Sequence, residues 1–280
     1  MERDSVRARG FTFTAHSPAR RHLMSFDSNY GPPGGFSSYG SAPAAPFQMQ
    51  YWRAYTYVFD HPDWIRNVLF ILICQFIPLV GPLVLIGYQF DVVESLLRAN
   101  PAPYVAFDFN RFVEYLTRGL WPFLVGFVVA IVLVPLVYIA FIGLFFGGAA
   151  LVSAAGEDAA GPVMAVFMGI GFILYFAFLI GLNMILQPMM MAAGISQEFN
   201  AAFNLTYVRT FLRTAWKEML LSGLFLMFSG MLCALGGVIV CFVGVYFSAV
   251  LIAYAQAYMH YQLYCVYLSR GGAPLALKNV

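Results

Sequence analysis

Residues 219–269 read MLLSGLFLMFSGMLCALGGVIVCFVGVYFSAVLIAYAQAYMHYQLYCVYLS, and this run contains no Asp, Glu, Lys or Arg. An α-helix needs about 20 consecutive apolar residues to cross the roughly 30 Å hydrocarbon core of a bilayer. The run is too long for one crossing and has the length of two. It therefore predicts an integral membrane protein whose chain crosses the bilayer twice in this segment.

Three further runs without charged residues lead to the same conclusion, namely 119–156, 159–197 and the shorter 67–90. Hydrophobic residues make up 61% of the chain, charged residues only 10%, and the mean hydropathy is +0.76. This composition excludes a water-soluble globular domain. The net charge of +2 is too small and too dispersed to indicate nucleic-acid binding, so we expect the lipid bilayer as the main partner.

The N-terminal residues 1–49 differ from the rest of the chain in composition. They are rich in Gly, Ser, Pro and Tyr and lack the apolar segment of a signal peptide. Because few apolar side chains offset the entropy lost on ordering, we predict a disordered tail. Translation from Met24 rather than Met1 stays open. The membrane domain is expected at 50–270, followed by a short cytoplasmic tail at 271–280.

Glycine residues divide the long apolar runs into spans. Gly236, Gly237 and Gly244 are expected to interrupt the last run, because glycine weakens the continuity of a helix. The middle two runs each predict a single span. The clear spans predicted in this way are 121–146, 166–189, 219–235 and 245–267.

The first run, 67–90, is interrupted by Pro78 and Pro82 with Gly81 between them. Proline removes a backbone donor and clashes with the preceding turn, so the segment is either one kinked span or a hairpin. Only the hairpin places every arginine-rich connection on one side of the membrane, as the positive-inside rule favours. We therefore predict an all-α polytopic fold with three membrane hairpins, located in the cell membrane with both termini in the cytoplasm.

Two segments that precede membrane regions share a pattern. Phe112-Val-Glu-Tyr-Leu-Thr-Arg118-Gly-Leu-Trp121 and Tyr207-Val-Arg-Thr-Phe-Leu-Arg213-Thr-Ala-Trp216 carry an aromatic residue, Val, Arg and Trp at identical offsets. Each segment has one apolar face and one polar face at helical spacing. The pattern predicts amphipathic lead-in helices in the membrane interface, with the Trp side chain at headgroup level.

Five polar side chains within the predicted membrane segments are selected as candidates for function, because polar residues are costly at that depth. They are Gln75, Asn183, Gln187, Gln256 and His260. Two interpretations are open. The residues line a polar path or small-molecule site, with His260 as a proton carrier, or they form hydrogen bonds between helices. Hydrogen bonding is the commoner case. Asp91 and Glu94 are expected near a membrane edge, facing water.

Other motifs indicate helix packing rather than chemistry. Gly143 and Gly147 form a small-xxx-small pair, which allows close approach of helices within the chain or between two chains. The four cysteines lie in apolar runs without metal-ligand spacing, so no metal site and no cofactor is predicted. No hydrolase, zinc-protease or nucleotide-binding motif occurs in the sequence, and we expect no enzymatic activity.

A series of short motifs follows in order between residues 50 and 120. They are Phe59-Asp-His-Pro-Asp-Trp64, Ile77-Pro78-Leu-Val-Gly81, Ile86-Gly87-Tyr88, Pro101-Ala-Pro103-Tyr104, Phe107-Asp108 and Gly119-Leu120. In these motifs the chain resembles the bacterial domain-of-unknown-function-4013 family of membrane proteins, over about residues 50–270. The resemblance implies a bacterial membrane location. It implies no substrate, cofactor or catalytic residue.

Three functional hypotheses follow from the sequence. The first is a non-enzymatic membrane component that acts through helix packing, as a scaffold, an assembly factor or a partner subunit that binds other membrane proteins or itself. The alternative is a small permease or lipid-handling protein that uses the proline-interrupted hairpin and the polar residues. An intramembrane enzyme is the weakest hypothesis.

Overall fold

The computed structural model describes residues 47–98, 104–239 and 242–277, and every regular element in these ranges is helical. Most of the predicted disordered tail, and the last three residues of the chain, lie outside the described residues. Seven α-helices follow in order: α1 Arg53–Thr56, α2 Trp64–Gln75, α3 Val80–Leu97, α4 Phe112–Ala155, α5 Glu157–Ser196, α6 Leu205–Ile239 and α7 Phe242–Ser269. Short 3₁₀ helices lie at Tyr57–Asp60, Phe109–Arg111 and Asn200–Phe203.

Among the described residues, four helices are long and apolar enough to cross a membrane. They comprise Val80–Leu97, Phe109–Ala154, Ala160–Ser196 and Leu205–Ile239. The prediction of an all-helical chain with helices of membrane-spanning length is therefore confirmed. The number of membrane hairpins and the interfacial position of the lead-in helices stay predictions.

Helices α2 and α3 form a short antiparallel hairpin. Phe70 of α2 and Tyr88 of α3 both contact Phe107, with ring centroids 6.4 and 5.4 Å from it. The chain turns between them at Pro78 and at Leu79, whose φ of 65° is a rare and strained value for a residue with a side chain. The 12 residues of α2 rise only about 18 Å, which is too short to cross a bilayer alone.

Helices α4 and α5 form a second, much longer hairpin, which we call the long hairpin. They are joined at Gly156, whose φ of 79° and ψ of 166° are accessible essentially only to glycine. Helices α4 and α5 extend beyond the predicted spans 121–146 and 166–189, whose membrane boundaries stay predictions. The predicted connection at 157–161 is wrong, because α5 begins at Glu157. The Ala- and Gly-rich residues there continue both helices almost to the turn.

Helices α6 and α7 also pack against each other. The predicted break between residues 236 and 244 is confirmed, because α6 ends at Ile239 and α7 begins at Phe242, although Gly236 and Gly237 still lie within α6 and Gly244 lies within α7. The chain between the helices lies outside the described residues. A Cβ atom on Gly237 would lie 2.6 Å from the carbonyl oxygen of Gly244. These two glycines therefore allow the backbones to approach, and Ser248 adds a 2.8 Å hydrogen bond to the carbonyl of Cys233.

Helix α6 contains an internal kink at Ala215, whose φ of −125° is not helical. The kink separates the second predicted lead-in segment from the apolar part of the helix. The first segment continues into α4 without such a kink. The two segments also differ in burial, because Arg118 is buried whereas Arg213 at the equivalent offset is exposed.

Candidate functional site

The site begins where α3 and α4 touch backbone to backbone. A Cβ atom on Gly87 would overlap the carbonyl oxygen of Tyr115, and one on Gly119 would overlap the carbonyl oxygen of Leu83. Both helices therefore need glycine at this crossing. The close approach brings the C-terminal half of α3 against the first turns of α4.

A network of charged side chains lies beside this contact. Arg118 of α4 donates to Asp91 at 3.0 Å and also to Glu94, both on α3. Arg111 donates to both carboxylate oxygens of Asp91, at 2.9 and 3.1 Å. Arg98 donates to Glu94 at 2.8 Å through its Nε atom.

The centre of this network is buried and electrically balanced. Asp91, Glu94 and Arg118 are exposed to only 7%, 6% and 6%. Arg111 additionally pairs with Glu114 at 2.7 Å, so three guanidinium groups meet three carboxylates. The expectation that Asp91 and Glu94 face water is therefore wrong. Buried charges persist in a low-dielectric interior only when they are paired and hydrogen-bonded, as they are in this network.

The sequence contained a signal for this network, although the spans alone did not reveal it. Asp91 and Glu94 are three residues apart, and Arg111 and Arg118 are seven apart, so each pair shares one face of its helix. Opposite charges on the facing sides of consecutive helices indicate an ion-pair contact. The pairing becomes visible only once the antiparallel contact at Gly87 and Gly119 is known.

A cluster of buried tyrosines lies next to the charged network. Tyr57 donates to the carbonyl of Tyr254 at 2.9 Å, and Tyr104 donates to the carbonyl of Val58 at 2.9 Å. Tyr88 donates to the carbonyl of Val105 at 2.8 Å. These hydroxyl groups satisfy backbone carbonyls and tie the N-terminal segment, α3 and α7 to the residues that precede α4.

The pKa values of groups outside the spans reflect this packing. Burial raises the pKa of Tyr104 to about 12 and raises that of Tyr57 well above its ordinary value. Partial burial lowers the pKa of His61, whose ring lies 4.8 Å from the ring of Tyr104. The neutral forms are therefore favoured at all three positions, as expected for groups that hold a fold together.

Residues from the motifs that carried the resemblance meet at this tyrosine cluster. His61 contacts Tyr104, and Tyr88 contacts Phe107 with ring centroids 5.4 Å apart. The ring of Tyr254 on α7 joins the two pairs, because it contacts both Tyr88 and Tyr104. The backbone N–H of Phe107 donates to Asn67 at 3.1 Å. The motifs therefore specify one packed region of the fold.

The five polar candidates lie on three helices, α2, α5 and α7. Gln187 is buried and its Oε1 atom has no partner there, whereas Asn183 is exposed on α5, with Oδ1 facing Gly223 of α6. Gln75 is half-buried at the end of α2, and its Nε2 atom has no partner within the described chain.

His260 and Gln256 lie on α7. His260 is buried with its ring parallel to that of Phe90, the centroids being 5.9 Å apart. Gly194 also lies against the Phe90 ring, and a side chain at Gly194 would collide with it. Gln256 is half-buried one turn earlier. A polar path through these residues stays a prediction.

The predicted packing glycines occupy different environments. A Cβ atom on Gly143 would meet no atom within 4 Å, and one on Gly147 would only graze the Phe167 ring at 3.9 Å. The close contacts of the long hairpin use Gly148, against Phe167 at 2.7 Å, and Gly171, against Leu144 at 2.5 Å. Gly143 therefore faces away from the partner helix in its own chain.

No group of three or more His, Cys, Asp or Glu side chains that could hold a metal ion occurs within residues 47–98, 104–239 and 242–277. The acidic groups of the charged network are instead each bound to arginine. The chemistry that this arrangement supports is structural, since it fixes α3 against α4.

The fold places the chain in the class of all-helical proteins with apolar helices of membrane-spanning length. Helices of this kind indicate a lipid environment. A family model described as protein of unknown function (DUF4013) matches residues 70–242, and the chain belongs to this family. The resemblance found in the sequence is thereby confirmed, while a bacterial origin and the orientation of the termini stay predictions.

Searches of curated proteins and of solved structures found no match to this chain.

Proposed function

We propose that the protein is a non-enzymatic membrane component that acts through helix packing, as a scaffold or partner subunit, and that the long hairpin is its binding element. The observation that supports this most is the exposure of the long hairpin. Between Phe127 and Leu186, only Gly148 and Gly171 are buried among the side chains that the structure describes.

The length of the long hairpin supports an additional apolar partner. From Phe127 to Ala154 the exposed part of α4 carries no charge over about 42 Å. A helix tilted by about 20°, the average in structures, crosses a 30 Å core with roughly 32 Å of its length. About 10 Å of this exposed helix then extends beyond the core, and a partner's helices would cover it.

The side of the long hairpin around Gly143 suits such a partner. Gly143 is open, and Gly147 is only lightly covered, so another helix can approach the backbone of α4 closely there. The intrachain contact uses Gly148 on a neighbouring face. The two faces are therefore separable by mutation.

The test compares Gly143→Leu with Gly126→Leu in the full chain, in its native membrane. Gly126 is also open, lies on the same helix, and points about 100° away around the helix axis. We expect Gly143→Leu to abolish migration in a larger complex on native gels, with unchanged protein level, and Gly126→Leu to preserve it. Migration as a single chain in both the parent protein and the control would reject the proposal.

The polar residues provide the contrasting test. Gln187→Leu and His260→Leu are expected to leave the complex and any phenotype intact, because each supplies a packing group rather than a transport path. A defect in substrate uptake from these replacements, at normal protein level, would reject the packing function.

A second candidate function, lipid handling, is favoured by one observation. A cavity of about 320 Å³ lies between α4 and α5 and is lined by apolar side chains that include Val129, Leu133, Phe178 and Leu182. Its lining suits an acyl chain. Replacing Leu182 by Trp would fill the cavity, and loss of lipid transfer between vesicles, with the complex retained, would favour this function.

A further inference from the structure

A groove lies where the N-terminal segment crosses α6. The rings of Tyr51, Trp52 and Tyr55 surround the ring of Phe225, with centroids 5.5, 5.6 and 6.1 Å from it. Tyr55 and Ser229 share a 2.8 Å hydrogen bond between their hydroxyl groups. The aromatic contacts therefore fix the segment against the helix and form one wall of the groove.

The position of this wall is fixed further by a side chain of α7. The backbone N–H of Gln50 donates to Gln262 at 2.5 Å, and the Gln262 amide donates back to the carbonyl of Gln50 at 3.0 Å. Gln262 is buried. Its two hydrogen bonds satisfy the backbone N–H and carbonyl of Gln50, which water would otherwise satisfy. The packing of the fold therefore holds this wall of the groove in a defined position.

The groove is amphipathic. Its volume is about 740 Å³, with Gln50, Arg53 and Thr56 among its polar lining residues and Met49, Leu221 and Phe225 among its apolar ones. Trp52 is 77% exposed at its mouth. Exposed Trp side chains are typical of the boundary between hydrocarbon and headgroups.

A lysine precedes the groove on α6. Lys217 is exposed one helical turn before the lining residue Leu221, so the two lie on the same side of the helix, and the charge-free part of α6 begins two residues later at Met219. Its ammonium group lies 5.6 Å from the Trp216 ring and takes part in no ion pair within the described residues. Arg53, by contrast, is paired with Asp60 at 2.5 Å. Lys217 is therefore a cation without an ion pair on the side of α6 that carries Leu221.

We propose that this groove binds an anionic phospholipid, with one acyl chain along Leu221 and Phe225 and the phosphate at Lys217. The groove opens on the exposed apolar surface of α6, where Leu221 is 53% exposed, so a membrane lipid reaches it laterally. A basic side chain near the membrane surface contributes about 1 kcal/mol to the attraction of anionic lipid. The proposal does not depend on the partner-binding function of the long hairpin.

The experiment measures lipids retained by the full chain, purified from nanodiscs of equal phosphatidylglycerol and phosphatidylcholine, by native mass spectrometry. Phosphatidylglycerol is expected to be retained in preference. Lys217→Gln should lower its retention about fivefold, the equivalent of the energy given above. Arg66→Gln is the matched control, because Arg66 is an exposed arginine at the start of α2 and is expected to have no effect.

A second pair of variants tests the acyl-chain subsite. Leu221→Ser should lower the retention of both lipids, whereas Leu232→Ser, which changes an exposed leucine of α6 outside the groove, should not. Both leucines are exposed, so neither variant is expected to unfold the chain. Equal loss from the two serine variants would overturn the proposal.

A photocrosslinking amino acid at Leu221 distinguishes the other occupants. An adduct of lipid mass supports the proposal. An adduct to residues 1–46 of the same chain, or to a second copy, would overturn it. Complete displacement of phosphatidylglycerol by millimolar inorganic phosphate would also overturn it, because it would show a simple anion site.

Discussion

Gly87 of α3 and Gly119 of α4 bring two helix backbones into direct contact, since the N atom of Gly119 lies 2.9 Å from where a Cβ atom on Gly87 would be. All surrounding interactions depend on this approach. The ion pairs of Asp91 and Glu94 reach α4 only because the helix axes are this close. The tyrosine cluster packs against the same pair of helices.

Replacing Gly119 by Ala is therefore expected to destabilise the protein. The added methyl group has backbone atoms as neighbours, which cannot rotate away, so overpacking should cost about 1–3 kcal/mol or more. The measurement is the midpoint of thermal unfolding in detergent. Gly126→Ala is the control on the same helix, where nothing lies within 4 Å, and it should leave the midpoint unchanged or raise it. Equal midpoints for both variants would contradict the contact.

Removing Arg118 should be more costly than removing an exposed arginine. Arg118→Gln leaves the buried carboxylates of Asp91 and Glu94 short of one cation, and breaking a buried pair typically costs about 3–5 kcal/mol. Arg66→Gln breaks an exposed pair with Asp63 and should cost at most about 1 kcal/mol. Unfolding by denaturant in mixed micelles measures both losses. Similar values would show that the charged network is not buried in solution.

The long hairpin depends on two reciprocal contacts. Leu144 lies against Gly171, and Phe167 lies against Gly148, so each helix contributes one large and one small residue four positions apart. Gly148→Leu should collide with Phe167 and separate the helices, which disulfide trapping between paired cysteines near the turn would detect. Adding Phe167→Ala should restore the trapping, because it returns the lost space. No rescue by the second change would contradict this geometry.

Acid is expected to destabilise the region around His61. Its pKa is lowered from 6.5 by partial burial, so the proton binds more tightly to the unfolded chain than to the folded one. The associated stability is present above pH 6.5, the value of the unfolded chain, and is lost as the pH falls from there through the lower pKa of the folded chain. The Nδ1 atom of His61 also accepts a 3.0 Å hydrogen bond from the N–H of Asp63, which protonation would break.

The variant His61→Asn isolates this effect, because an Asn carbonyl can accept the same hydrogen bond without titrating. The thermal midpoint of the parent protein should fall more between pH 7.5 and pH 5.5 than that of the variant. Parallel decreases in the two proteins would assign the acid sensitivity to other groups.

Much of the fold was predictable because membrane helices are specified by length and the absence of charge. The runs 119–156 and 159–197 correspond to α4 and α5, and the Pro78 region corresponds to the turn between α2 and α3. The end points were less accurate. The predicted span ended at residue 146, whereas the small residues that follow continue α4 to Ala155.

The glycines of the last apolar run show why tertiary contacts escaped the sequence. Gly237 and Gly244 flank the predicted break between α6 and α7, and the structure also uses them for close approach between these helices. In a sequence, a glycine that interrupts a helix looks the same as one that allows two helices to approach closely. Only the position of the neighbouring helix distinguishes the two. The Arg118 network was missed for a similar reason, since its partners are 24 and 27 residues away along the chain.

Binding of another protein chain to the side of the long hairpin around Gly143 is measurable by site-specific photocrosslinking in native membranes, with the probe placed in turn at Gly143 and at Gly126. We expect one adduct of defined protein mass from position 143 and lipid adducts alone from position 126. Lipid adducts alone from both positions would show that no protein chain binds this side of the hairpin.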